Sequence, residues 1–205
     1  LRCDDQVAAT VHNKNRIATE ANHTATHLLN HSLRSVLGEE VQQRGSLVDQ
    51  DRLRFDFAHS HPMSEEEVEL VQQFVNKYIN DDSVVDATDI PLNIAKKIHG
   101  VRAVFGEQYP DPVRVVSIGV MVEELLENPE NEHWYASSVE FCGGTHLESC
   151  AGVGQFVIVH EQALASGVRR ILALTGVSAE AAYEAGTTIL ERISNASSLS
   201  GDALL

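Results

Sequence analysis

Residues 18–37, ATEANHTATHLLNHSLRSVL, decide how this chain is read. Ala25, Leu28, Leu29, Leu33, Val36 and Leu37 recur at helical spacing and share one broad face, and Gly38 supplies a stop. The same helix carries His23, His27 and His31. His23 and His27 are four residues apart, so their side chains leave one face a turn apart and can reach a single metal ion. Spacing alone is weak support: ten histidines in 205 residues give roughly half an HxxxH pair by chance, and His27 with His31 makes a second.

Downstream of that helix, Leu53, Phe55 and Phe57 alternate with Arg52, Arg54 and Asp56, the period of a half-buried strand. Ser64 and Glu67 fit a capping box that opens a helix over 64–81. A strand is expected over VVDATDI (84–90), and Pro91 suits the first turn of a short helix running to Lys97. VRVVSIG (113–119), SSVEF (137–141), VGQFVIVHE (153–161) and VRRILALTG (168–176) read as strands, and a helix is expected from Ser178 to about Asn195. The acidic stretch 120–138, with its Asn128-Pro129 pair, reads as a surface insertion. Upstream, residues 1–17 read as a short strand pair around Asn13-Lys14-Asn15, the tail of a preceding, truncated β domain. The fold class is therefore α+β, with a mixed or antiparallel sheet packed against the two long helices. The expected units are 1–17, a domain over 18–176, and a C-terminal helix and start of a linker over 177–205.

Composition narrows the function. Thirty acidic against 15 basic residues give a formal charge of −15, which opposes broad, charge-driven binding to phosphates, so any RNA contact must be local or come from a partner. No run of eighteen apolar residues is present, and the opening LRCDDQVAAT lacks the pattern of a secretory signal, so a cytoplasmic chain without membrane contact is expected. Three scattered cysteines, Cys3, Cys142 and Cys150, fit a compartment where thiols persist and a cysteine can ligate metal.

Cys142 opens the second informative motif, Cys142-Gly143-Gly144-Thr145-His146, a thiol and an imidazole separated by a loop that two glycines allow to fold tightly. A chance CxxxH is rarer, at ~0.15 occurrences for this composition. Thiolate plus imidazole suits zinc. The two half-sites lie more than a hundred residues apart, an arrangement that favours a cleft between elements over a local staple. Spacing leaves open whether such a site is structural or catalytic.

The segments NHTATHLLNHSLRSVLGEEVQQRGSLVDQDRLRFDFAH (22–59) and EFCGGTHLESCAGVGQFVIVHEQALASGVRRILALTG (140–176) closely resemble the editing domain of alanyl-tRNA synthetases and its free-standing relatives. The HxxxH and CxxxH pairs are shared with the threonyl-tRNA synthetase editing domain, while GSLVD, LRFDF and GVRRI look alanyl. The resemblance implies an editing-type α+β fold and one zinc ion on His23, His27, Cys142 and His146. It implies hydrolysis of serine or glycine from the acceptor end of mischarged tRNA(Ala), with other domains of a parent ligase as partners. A synthetic pocket built for alanine discriminates poorly against serine or glycine, because one small group changes binding by only ~1–3 kcal/mol. By the same resemblance Thr26, Gln43 and Cys142 are the candidate catalytic residues. Taken alone, Thr26 reads as helix packing and Gln43 as an exposed polar residue.

Asp56 and Glu140 are each either a partner of a metal-bound histidine or an ordinary acid. His31 reads as an exposed helical histidine, His59 and His61 as loop residues, and Cys3 and Cys150 as non-ligand thiols. Arg169 is a candidate phosphate contact, but strand arginines also pair with neighbouring acids. No segment resembles an ATP-binding aminoacylation core. Two readings stand beside editing of tRNA(Ala): a zinc-stabilised tRNA-binding module without hydrolysis, and threonyl-type editing of seryl-tRNA.

Overall fold

In a computed structural model, residues 2–3, 5–103 and 107–198 are described. The first helix, α1, runs over Asn13–Leu37. His12 caps its start by accepting the Asn15 N–H on Nδ1 at 3.4 Å, and the Gly38 N–H closes its end on the Arg34 carbonyl at 2.9 Å. The strand pair expected around Asn13-Lys14-Asn15 is therefore not formed. Those residues extend the helix into solvent, where the Thr19 hydroxyl donates back to the Asn15 carbonyl at 2.8 Å.

The strands β1 (Gln43–Val48), β2 (Leu53–Ala58), β6 (Phe156–Ala165) and β7 (Val168–Thr175) form one antiparallel sheet in the order β1-β2-β7-β6. A second antiparallel sheet has the order β3-β4-β5, from Val85–Ile90, Val113–Ile118 and Ser138–Phe141. The expected α+β class holds, and among the described residues every pairing between named strands is antiparallel. Helix α2, Glu65–Asn80, opens with the Ser64–Glu67 capping box read from the sequence. The short α3, Leu92–Ala95, follows with Pro91 as its N-cap.

Leu53, Phe55 and Phe57 are fully buried, with α1's Ala25, Leu28, Leu29 and Leu33, in the larger core. Asp56, on the opposite side of β2, is also buried, because Arg170 grips its carboxylate with two hydrogen bonds at 2.6 and 2.8 Å. Along the outer edge of β6, α2 replaces a missing strand. Asn76 donates to the Phe156 carbonyl at 2.9 Å and accepts its N–H at 3.0 Å, and Gln72 accepts the Ile158 N–H at 2.9 Å. An edge that would otherwise present unpaired backbone is thus covered.

The acidic stretch is not a mere surface insertion. Val120, Val122 and Leu125 anchor it in a second core with Ile90, Val113, Val115, Val139 and Phe141. Helix α4, Val122–Glu127, places Val122 and Leu125 three apart on one face and leaves its acids outside, so net charge concealed a buried stripe. Helix α5, Gly176–Ser198, closes the described chain, and the remainder of the expected linker, 199–205, lies outside the described residues. No described helix is long and apolar enough to cross a membrane.

Candidate metal centre

The site forms where α1 meets β5. Along β5 the side chains alternate, with Val139 and Phe141 in the second core while Ser138, Glu140 and Cys142 face α1. Backbone pairing continues past the strand, the Cys142 N–H donating to the Arg114 carbonyl at 3.1 Å, so the thiol is held by the sheet. On α1, His23, His27 and Asn30 sit at i, i+4 and i+7 and meet that row. The Ser138 hydroxyl touches the His27 carbonyl at 3.5 Å, Asn30 donates to Glu140 Oε1 at 2.8 Å, and Glu140 Oε2 lies 2.9 Å from His27 Nδ1. The loop after Cys142 then folds back over the helix. The Leu147 N–H donates to Thr24 Oγ1 at 3.2 Å, and Arg16 reaches Thr145 Oγ1 at 3.2 Å.

This arrangement brings His23, His27, Cys142 and His146 together, with one ligand atom from each within 4.8 Å of all the others. Their acceptor atoms are prepared. Thr145's carbonyl, 3.1 Å away, requires the proton on His23 Nδ1, which frees Nε2 to lie 3.4 Å from Cys142 Sγ. Glu140 likewise takes the Nδ1 side of His27, leaving its buried Nε2 without a hydrogen bond, as are both ring nitrogens of His146. Orphaned buried ring nitrogens around a thiol call for a cation. A four-coordinate ion with nitrogen and sulfur ligands has ligand–ligand edges of ~3.5 Å, so the four atoms need draw in only slightly. The residues fit a metal ion.

Electrostatics at Cys142 and His146 agree with that use. Burial alone would raise the Cys142 thiol, but the imidazoles of His146, His23 and His27 around it bring its pKa down to about 3, so the sulfur stands as thiolate. Burial pushes His146 down to about 4, keeping it neutral. Burial also opposes charge on His27, and Glu140, with Cys142, overrides it and raises the ring to about 10, so an ion bound there would displace a proton from Nε2. Glu140 stays ionised: its burial is offset chiefly by His27, then by Arg102 and Asn30.

The other sequence-derived candidates fall elsewhere. Thr26 is buried on α1 with its hydroxyl donating back to the Asn22 carbonyl at 2.7 Å. Gln43 begins β1, donates to Ser46 Oγ at 3.3 Å, and lines a cavity whose wall includes Glu140. Asp56 belongs to Arg170, not to a histidine. Arg169 is paired with Glu161 through two contacts, one of 2.6 Å, in the manner of a strand arginine meeting an acid. His31 is not exposed. It is buried beside Phe74 and Tyr78, because the second sheet and α2 cover this side of α1 as well, and it stands apart from the four-residue cluster. Asn30 was missed, although its position three residues after His27 put it on the ligand face.

Residues 113–171, which contain Cys142 and His146, match the family described as the threonyl and alanyl tRNA synthetase second additional domain. The chain is 46% identical over 199 residues to an alanine–tRNA ligase of Candida albicans, covering 97% of this chain and 20% of the relative. It is 47% identical over 204 residues to the cytoplasmic alanine–tRNA ligase of Dictyostelium discoideum, covering 100% of this chain and 22% of the relative. A mitochondrial alanine–tRNA ligase of Saccharomyces cerevisiae is 49% identical over 179 residues, 87% of this chain and 18% of the relative. The chain spans about a fifth of the length of these relatives. With the two half-sites joined in one centre and this identity along nearly the whole chain, it belongs to the alanyl-tRNA synthetases, in the part that carries their editing-type domain.

Proposed function

We propose that this chain removes serine, and glycine, from mischarged tRNA(Ala) by hydrolysis at a zinc centre held by His23, His27, Cys142 and His146. The observation that carries the reading is the convergence of one thiol and three imidazoles, with buried ring nitrogens that make no hydrogen bond. In this reading 18–176 is the editing unit, the chain works in the cytoplasm, and the acceptor end of the tRNA and the other domains of a parent ligase are its partners. The substrate class rests on the relatives' names and on the need for a second sieve where alanine's own pocket discriminates too little.

When bound, zinc supplies positive charge that polarises the ester carbonyl or holds the amino and hydroxyl groups of serine. The chain's own residues prepare that place. Glu140 and the Thr145 carbonyl orient His27 and His23, and Asn30 fixes Glu140. Water adds to the ester carbon, the carbon–oxygen bond to the terminal ribose breaks, and the ribose hydroxyl leaves with a proton. Thr26, next to the ligands on α1, and Gln43, at the start of β1, are assigned to recognition of the amino acid.

The test is release of serine from seryl-tRNA(Ala) by the chain, its Cys142→Ala variant and a metal-stripped sample. Release by the loaded chain and more than a hundredfold loss in both other samples is expected. RNA binding without release by the loaded chain would instead mark a binding module, and equal release from seryl-tRNA(Thr) would mark threonyl-type editing.

A further inference from the structure

Glu140, the partner of His27, also lines a cavity of about 40 Å³ together with Asn30, Arg34, Gln42, Gln43 and Arg102. Its two arginines come from different elements. Arg34 projects from the last turn of α1. Arg102 precedes β4 but bridges to β5 in parallel register with Glu140, its N–H donating to the Val139 carbonyl and its carbonyl accepting the Phe141 N–H, each at 2.9 Å. That pairing sets the Arg102 and Glu140 side chains next to each other on one face.

The guanidinium groups are not satisfied. Arg34 Nε, Arg102 Nε and Arg102 Nη1 are shut off from solvent and make no hydrogen bond. Arg34 pairs through Nη2 with Glu39, whose side chain is 67% exposed. Glu140 does not meet their need. Its oxygens are taken by Asn30 and His27, and among the described residues no arginine nitrogen lies within ion-pair distance of it. Arg34 has Glu39 for a counter-ion, so Arg102 is the buried cation left without a carboxylate at ion-pair distance, in a chain whose net charge is −15. Burial, and then the neighbouring Arg34, lower Arg102 to about 10, the mark of a cation short of counter-charge. Buried donors without protein acceptors call for water or an anion. The cavity has room for about three waters, or for the oxygens of one tetrahedral anion. Forked guanidinium donors match phosphate oxygens.

We propose that Arg34 and Arg102 form an oxoanion pocket that takes a backbone phosphate of the RNA acceptor end, so that the substrate is anchored one side chain's width from the ligand His27. This assignment of RNA rests on the function proposed above; the anion pocket itself does not. It also answers how a strongly acidic chain holds RNA, since one buried cationic pocket binds a single phosphate where the surface as a whole repels the backbone.

Two arms test it on the 205-residue chain. First, the arginine Nε–H signals of the ¹⁵N-labelled protein are followed by NMR during titration with inorganic phosphate, with sodium chloride at matched ionic strength as control, then with 5′-AMP and with adenosine. Saturable movement of the Arg34 and Arg102 signals with phosphate and 5′-AMP, but not with chloride or adenosine, is expected. Second, KM is compared for 2′(3′)-O-seryl-adenosine with and without a 5′-phosphate. The phosphate is expected to lower KM about tenfold in the native chain, a ratio that falls to near one in Arg102→Gln and recovers in part in Arg102→Lys. A merely structural lesion would impair both esters alike and leave the ratio intact. Absence of saturable movement overturns the pocket. Movement with inorganic phosphate but not 5′-AMP, or a KM ratio unchanged by Arg102→Gln, overturns the RNA assignment. If neither ester is hydrolysed, the editing reading fails, while the NMR arm still decides the pocket.

Discussion

A methyl group placed on Gly144 would sit 2.3 Å from Cε1 of His23, with Nδ1 at 2.8 Å, whereas one on Gly143 would meet nothing within 4 Å. Of the two adjacent glycines, only Gly144 is required by the approach of a ligand ring. Gly144→Ala is expected to displace either His23 or the loop and to weaken zinc binding by on the order of a hundredfold, while Gly143→Ala stays within a fewfold of native. Competition with a chromophoric chelator reads both. Similar affinities for the two variants would mean that the loop does not seat on His23.

In the proposed zinc centre Glu140 works through His27, whose Nδ1 it holds at 2.9 Å. Glu140→Gln keeps the volume but removes the charge that orients Nδ1, and a 10–100-fold loss of zinc affinity is expected, as for other carboxylate partners of ligating histidines. Asn30→Ala, which frees Glu140 Oε1, is expected to lose less. The same chelator competition would count against this ordering if Asn30→Ala proved the worse.

Burial, assisted by Arg102 and Arg34, lowers His31 to about 4 from an ordinary 6.5, so the native state holds it neutral while the unfolded chain protonates it. Below about pH 6.5 the unfolded state binds the extra proton. Stability is therefore lost as pH falls from 6.5 to 4, by roughly 3 kcal/mol in all. Urea unfolding of metal-free protein across this range, against His31→Asn, isolates the term. The variant's pH slope should be shallower, and parallel slopes would show that His31 titrates as freely in the fold as out of it.

Both cores are built of apolar side chains, and of the four candidate ligands only Cys142 packs against one of them. Chelation is thus expected to abolish hydrolysis while leaving the far-ultraviolet circular dichroism spectrum in place, with a fall of several degrees in Tm from the lost ligand linkage alone. Collapse of the spectrum on chelation would identify a structural zinc instead.

Asn76 covers the outer edge of β6 with a donor and an acceptor. Asn76→Leu strands both backbone groups of Phe156, and a loss of ~2 kcal/mol is expected from the urea midpoint at an unchanged slope.

Much of this architecture is written locally. The apolar period of α1, the Leu53-Phe55-Phe57 alternation and the Ser64–Glu67 box each act within a few residues, so the elements they imply are those observed. Both halves of the candidate metal site were legible for the same reason: HxxxH and CxxxH are short spacings on one helix and one loop. Whole-segment properties misled. Net acidity hid the Val122 and Leu125 stripe, and the polar Asn13–Asn15 run hid a helical extension.

What the sequence alone determined is which four side chains form the candidate metal cluster and the elements that carry them. Only the tertiary structure decided that Asp56 answers Arg170 while Glu140 answers His27, that His31 is buried, and that Arg34 and Arg102 share a cavity. The reason is physical. Local spacing governs which side chains leave one face of an element, but burial, charge pairing and pKa depend on what a second element, here β5 crossing α1, brings against that face.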